Sequence, residues 1–145
     1  MLGFFKKQRV GSLNKKLADT DARIALMKAE MAAHMIKLAG QTNDLTPLAQ
    51  AEEALSAARR YYNFEQTPVE IGMVQTALGD MLFSLGRKTS DKAALARARD
   101  AYRGAITLAS LHGDDRQRET LRDKVKITES LLGVSRTTQA LFRVA

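Results

Sequence analysis

The feature that most constrains this chain is an internal repeat with an offset of 47 residues. Displaced by that offset, 42–55 falls on 89–102. Thr42 then meets Thr89, Asp44 meets Asp91, Leu48 meets Leu95, and Ala49, Ala51 and Ala54 meet alanines. Ala58 falls on Ala105 further along. The same offset carries Met27, Met31 and Leu38 onto Val74, Leu78 and Leu85, and these onto Leu121, Val125 and Leu132, while the small residues Ala39, Gly86 and Gly133 close each segment. A repeat of this length is one supersecondary unit that cannot bury its apolar face alone and must stack on its neighbours.

Local signals make the unit a pair of helices. Val10, Leu13, Leu17, Thr20, Ile24, Met27, Met31, His34 and Leu38 follow three-and-four spacing, which predicts a first helix over about 12–39 with that face inward and Gly40 as its stop. Met27, Met31 and Met35 are then core filling. A second helix is expected over about 45–63, capped by Asp44, with Pro47 harmless in its first turn. Thr67-Pro68-Val69-Glu70 reads as a capping box opening a third helix that ends at Gly86. A fourth is expected from Asp91 to Leu111, and a fifth from Asp114, with Gln117 reaching back, to Gly133. The expected fold is therefore all-α: a short α-solenoid of about five antiparallel helices, two hairpins plus a closing helix, over residues 12–133. A basic and apolar N-terminal arm (1–11) precedes it. A tail (134–145) follows, apolar at Leu141, Phe142 and Val144.

The third and fourth helices resemble a tetratricopeptide-repeat (TPR) unit. Leu78-Gly79 followed by Leu82 is similar to that family's first-helix pattern, and Ala98, Tyr102 and Ala105 to its second. Residues 24–60 match more loosely through Met31-Ala32, Met35, Ala51, Leu55 and Ala58. The period here is longer than the family's, which is about 34 residues, and Gln75 stands where the family carries a bulky aromatic. The resemblance implies a concave face, lined by the first helix of each pair, that holds a peptide or helix of another protein. The positions it implies are Leu26, Ala29, Ala33, Ile36 and Lys37 on the first helix. They continue as Met73, Thr76, Asp80, Phe83 and Ser84 on the third, and Asp123, Ile127 and Ser130 on the fifth. Ile36, Met73 and Phe83 would be apolar anchors, and Lys37 and Asp80 would set polarity and register.

Reactive chemistry is sparse. Cysteine is absent, which removes disulfides and thiolate chemistry. His34 and His112 have no ligand partner at helical spacing, so no metal site is legible and no cofactor is expected. Ser12-Leu13-Asn14-Lys15 has the letters of a serine–lysine hydrolase motif without its partners. His34-Met35-Ile36-Lys37 resembles the core of histidine-phosphotransfer domains, but Leu38 replaces the glycine that leaves the ring room, and a half-buried helix histidine is the favoured reading. Arg59-Arg60-Tyr61-Tyr62-Asn63-Phe64 interleaves base and aromatic. At a helix end it is read as dipole compensation and core sealing, which argues against a nucleic-acid ligand.

Charge supplies one further expectation. Of the net +7, residues 1–28 hold +5, from seven basic residues against Asp19 and Asp21. Phe4 and Phe5 beside Lys6, Lys7 and Arg9 suit a weak contact with an anionic membrane surface. No stretch approaches the length of a membrane span, and the start lacks the apolar run of a secretion signal. The functional expectation is thus a cytoplasmic, non-catalytic adapter. Its alternatives are an adapter held peripherally at the inner membrane face by the arm, and phosphotransfer at His34. Self-association through the ends of a short stack accompanies all three.

Overall fold

The structure is a computed structural model that describes residues 2–63 and 67–133, with side chains from residue 11 onward. The side chains of Phe4, Phe5, Lys6, Lys7 and Arg9, together with Phe64 and the tail 134–145, lie outside the described residues.

Five α-helices follow one another: α1 (Leu2–Thr42), α2 (Thr46–Ala58), α3 (Val69–Thr89), α4 (Lys92–Leu111) and α5 (Asp115–Leu131). A 3-10 turn, Arg59–Tyr61, extends α2. Among the described residues there is no strand. α1 packs on α2, α3 on α4 and α4 on α5, while α1 and α2 also meet α3. The links within these packed pairs are two or three residues long, which forces neighbours to run antiparallel. The all-α, repeat-like stacking expected from the 47-residue offset is what the chain adopts.

The strongest identities of the repeat mark the hairpin turns. α1 and α3 both end on a residue with left-handed backbone, Asn43 and Ser90 (φ 53° in each). The next residue, Asp44 or Asp91, donates its N–H to the carbonyl five residues back, Ala39 (3.3 Å) or Gly86 (2.9 Å). Thr42 and Thr89 return their hydroxyls to the carbonyls of Leu38 and Leu85. Gly113 (φ 67°) and Asp114 repeat the device after α4. The same aspartates then start the next helix: Asp91 accepts from the Ala94 N–H and Asp114 from that of Gln117, each satisfying an orphan donor of the first turn. Asp44 does not cap α2 as expected: α2 begins at Thr46, and Leu45 stands at the cap position with no side-chain bond. The Asp44 carboxylate accepts from the N–H and hydroxyl of Thr46, which hold it below the usual carboxylate range.

The second helices are equivalent in packing as well. Leu48 and Leu95, Ala51 and Ala98, Leu55 and Tyr102, Ala58 and Ala105 are all buried. Arg97 of α4 pairs with Glu52 of α2, and Arg103 of α4 with Glu129 of α5. Gln75 of α3 donates to the carbonyl of Ala101 on α4. α5 buries only Leu121 and Thr128 and leaves most of its charges in solvent, as befits a closing helix.

Four further local expectations are corrected. First, α1 runs from Leu2 to Thr42, past both Ser12 and Gly40, because Asn43 rather than glycine supplies the left-handed turn. Second, Thr67 does not cap α3. Its hydroxyl donates to the Asn63 carbonyl, and Pro68 stands at the cap position with no side-chain bond. Third, α1 does not bury its long apolar stripe. Ala25, Ala29, Ala32, Ile36 and Ala39 face the core, whereas Leu13, Leu17, Met27, Met31 and Leu38 are 43–65% exposed. Fourth, Met27 and Met31 are therefore not core filling, and His34 is exposed rather than half-buried; of the three methionines only Met35 packs partly inward. The physical reason is the closeness of α1 to its neighbours. A line of alanines lets helix axes approach where larger side chains would hold them apart, and Ala25, Ala32 and Ala39 fall by the 47-residue offset on Gly72, Gly79 and Gly86.

Candidate groove between the third and fifth helices

α3 divides its circumference. Ile71, Leu78, Leu82 and Leu85 are buried against the rest of the fold. On another side, Val69, Met73, Thr76, Asp80, Phe83 and Arg87 follow alternate spacings of four and three, which puts them on one face of a helix. That face meets the ends of α4 and the flank of α5 across two open clefts.

The larger cleft, about 810 Å³, lies at the start of α3. Val69, Gly72, Met73 and Thr76 line one wall, Leu108, Ala109 and His112 a second, and Asp114, Gln117 and Leu121 a third. Val69 is 59% and Met73 67% exposed, a considerable apolar surface to leave in water. Gly72 keeps the floor open; its nearest neighbour across the helices is Leu108. Two of the polar side chains at the rim, Thr76 and Asp114, are committed to the chain itself. The Thr76 hydroxyl donates to the Gly72 carbonyl and the Asp114 carboxylate caps α5.

The smaller cleft, about 280 Å³, lies further along α3, between Asp80, Phe83 and Arg87 on that helix, Lys124 and Ile127 on α5, and Tyr102 below. Phe83 is half-buried and Ile127 55% exposed. A polar cluster lines this smaller cleft. Tyr102 donates its hydroxyl to Asp80 Oδ1 (2.7 Å), and Lys124 Nζ reaches the same oxygen at 2.8 Å. Lys124 Nζ also sits 5.7 Å from the centre of the Tyr102 ring, within cation–π range. One carboxylate oxygen thereby ties α3 to α4 and α5. Burial, with the hydrogen bond and negative charge of Asp80, pushes the Tyr102 phenol well above its ordinary value.

Of the positions implied by the TPR resemblance, the structure gathers Met73 and Thr76 in the first cleft, and Asp80, Phe83 and Ile127 in the second. Asp80 already spends one oxygen on an internal contact. Ile36 is corrected: it is 6% exposed and belongs to the core, as does Ala29, so neither is an anchor for a partner. Leu26 is half-buried and Lys37 exposed on α1, and neither lines these clefts; Ser84, Asp123 and Ser130 are exposed beside them without lining either. Sequence reasoning missed Val69, His112 and Lys124. Val69 was visible as the next step of the four-and-three pattern upstream of Met73. His112 and Lys124 carry no such mark, because they enter the groove from other helices.

Among the described residues no helix is long and apolar enough to cross a membrane. Among the same residues no group of three or more histidine, aspartate or glutamate residues is placed to hold a metal ion. No protein-family model, curated protein or solved structure matches the chain.

Proposed function

We propose that this chain is a non-catalytic interaction module, a pair of TPR-like hairpins with a closing helix, which holds a peptide or helix of another protein between α3 and α5. The observation that carries this reading is the row of Val69, Met73, Phe83 and Ile127. These apolar side chains are exposed or half-buried and line two open clefts along α3, Val69 and Met73 the first, Phe83 and Ile127 the second, where the Asp80–Lys124 pair also sits. Such a row offers pockets for the apolar face of an amphipathic segment, recognised at three-and-four spacing, and polar atoms to fix its register. No catalytic step and no cofactor form part of the reading.

The test compares affinity capture from the source cell by the native chain with capture by Met73→Asp and by Ile127→Asp. Both residues are more than half exposed, so the variants retain their helicity. The reading expects a protein species held by the native chain and lost from both variants. Retention of the same species by all three chains counts against the groove.

A second reading concerns the address of the module. It works in the cytoplasm, and the charge concentrated in residues 1–28 draws it to the anionic inner membrane face. Co-sedimentation with vesicles containing anionic lipid tests this, and equal binding by a chain lacking residues 1–11 disposes of it.

A further inference from the structure

Along one line of α1, Leu13, Leu17, Ile24, Met27, Met31 and Leu38 continue an unbroken alternation of four and three, with Thr20 and His34 at the two remaining steps; all are exposed except Ile24, which is half-buried. This is the seam pattern of a two-stranded coiled coil, narrower than the stripe of a helix lying on a globular core. The core contact of α1 is made elsewhere on its circumference, by Ala25, Ala29, Ala32, Ile36 and Ala39. The repeat explains what the seam lacks. By the 47-residue offset Met31 and Leu38 correspond to Leu78 and Leu85, which are buried on α3 where the first hairpin lies against it. On α1, among the described residues, nothing covers the same face.

We propose that a second copy of this chain covers it, the two α1 helices running antiparallel about a two-fold axis between Ala25 and Leu26. Layering decides the direction first. In this register Ile24 meets Met27 of the second copy, Leu13 meets Leu38, Leu17 meets His34, and Thr20 meets Met31, so each polar seam residue packs on an apolar one. A parallel, in-register pair would stack Thr20 on Thr20 and His34 on His34.

Flanking charge decides it again. The antiparallel register sets Arg23 opposite Glu30 of the second copy and Asp21 opposite Lys28, each pair occurring twice by symmetry. The like-charged pair it creates, Lys16 with Lys37, lies towards the ends. A parallel pair would instead set Arg23 against Lys28. Arg23 and Glu30 are both exposed and free to meet, whereas Lys28 already rests 5.9 Å from the Tyr61 ring. The two-fold interface is closed, so it yields a dimer and not a fibre. It leaves the α3–α5 groove untouched and does not rest on the function proposed for that groove.

The test is sedimentation equilibrium on the full chain. The native chain is expected to dimerise. Arg23→Glu, which faces Glu30 of the second copy twice, weakens dimerisation at least about tenfold. Adding Glu30→Arg to it restores the native association. A parallel dimer would respond oppositely, since Arg23→Glu would then face Lys28. Because the chain has no cysteine, introduced thiols report geometry directly. Leu13→Cys and Leu38→Cys chains oxidised together form a mixed disulfide and neither forms one alone, since like positions stand about 37 Å apart. A monomer at every attainable concentration, a dimer indifferent to Arg23→Glu, or a disulfide in Leu13→Cys alone each overturns the proposal. Circular dichroism keeps the readout separate from folding.

Discussion

Gly79 lies against the ring of Tyr102: a β-carbon on this glycine would stand 2.6 Å from Cε1 and 2.7 Å from Cδ1. The approach brings α3 and α4 together just where the neighbouring Asp80 receives the Tyr102 hydroxyl. The ring is held at its far end by that bond and is buried on its flank, so it has nowhere to retreat.

Gly79→Ala is therefore expected to destabilise the fold. Alanine adds about 1 kcal/mol of helix propensity, but overpacking a close contact costs about 1–3 kcal/mol. We expect a net loss of about 1 kcal/mol, read as a lower urea midpoint with an unchanged slope. A stabilised variant would mean that α3 and α4 separate more easily than this contact implies.

Gly40→Ala is the contrasting case. Its β-carbon would meet the terminal methyl of Met81 at 2.7 Å, the free end of a flexible side chain that can swing aside. Helix propensity then dominates, and the variant is expected to equal or exceed the native chain by up to about 1 kcal/mol. Thermal unfolding of the two glycine variants side by side separates a rigid contact from a yielding one.

Tyr102 gives the fold an alkaline limit. Its phenol is pushed above the ordinary value of 10.0 in the folded chain, so the unfolded chain loses that proton first. Stability from this group is complete below about pH 10 and falls as pH rises towards the folded value, by up to about 1.4 kcal/mol per pH unit. Comparing the denaturant stability of the native chain with that of Tyr102→Phe, from about pH 9 to about pH 11, isolates the effect. The difference between them should shrink as pH rises, and a constant difference would contradict the assignment.

Asp91 and Asp114 carry the turn device of the repeat. Replacing either by alanine removes a cap to the third residue of the next helix and should cost about 1 kcal/mol. The double variant should lose close to the sum, because the two turns share no partner. Chemical denaturation of the three variants checks both statements.

These turns were legible in the sequence because each matched letter performs a backbone task. Thr42 and Thr89 make the same hydroxyl bond, and the N–H groups of Asp44 and Asp91 close the same turn, so no packing decision intervenes. The second helices were legible too, since Leu48/Leu95 and Ala51/Ala98 sit inside both hairpins. The first helix was not. Periodicity weighs leucine and methionine above alanine, so the exposed row from Leu13 to Leu38 outranked the alanine row that makes the contact. Size decided what hydrophobicity could not, because only small residues admit a helix at short range. Thr67 failed for a different reason: the letters of a capping box fit, but α3 begins at Val69, so Pro68 takes the cap position and Thr67 stands one residue outside it. The groove was half legible. The α3 side follows from spacing on one helix, whereas Lys124 and His112 arrive through tertiary packing that no local pattern announces.

The most direct test of the account is site-specific photo-crosslinking in the source cell. A photoreactive side chain replaces Met73 in the groove, or Lys92 on the exposed start of α4 as the control. The account predicts that position 73 yields a discrete adduct with a second protein, that Val69→Asp in the same chain abolishes it, and that position 92 yields none. The same adduct from both positions, or none from position 73, would contradict it.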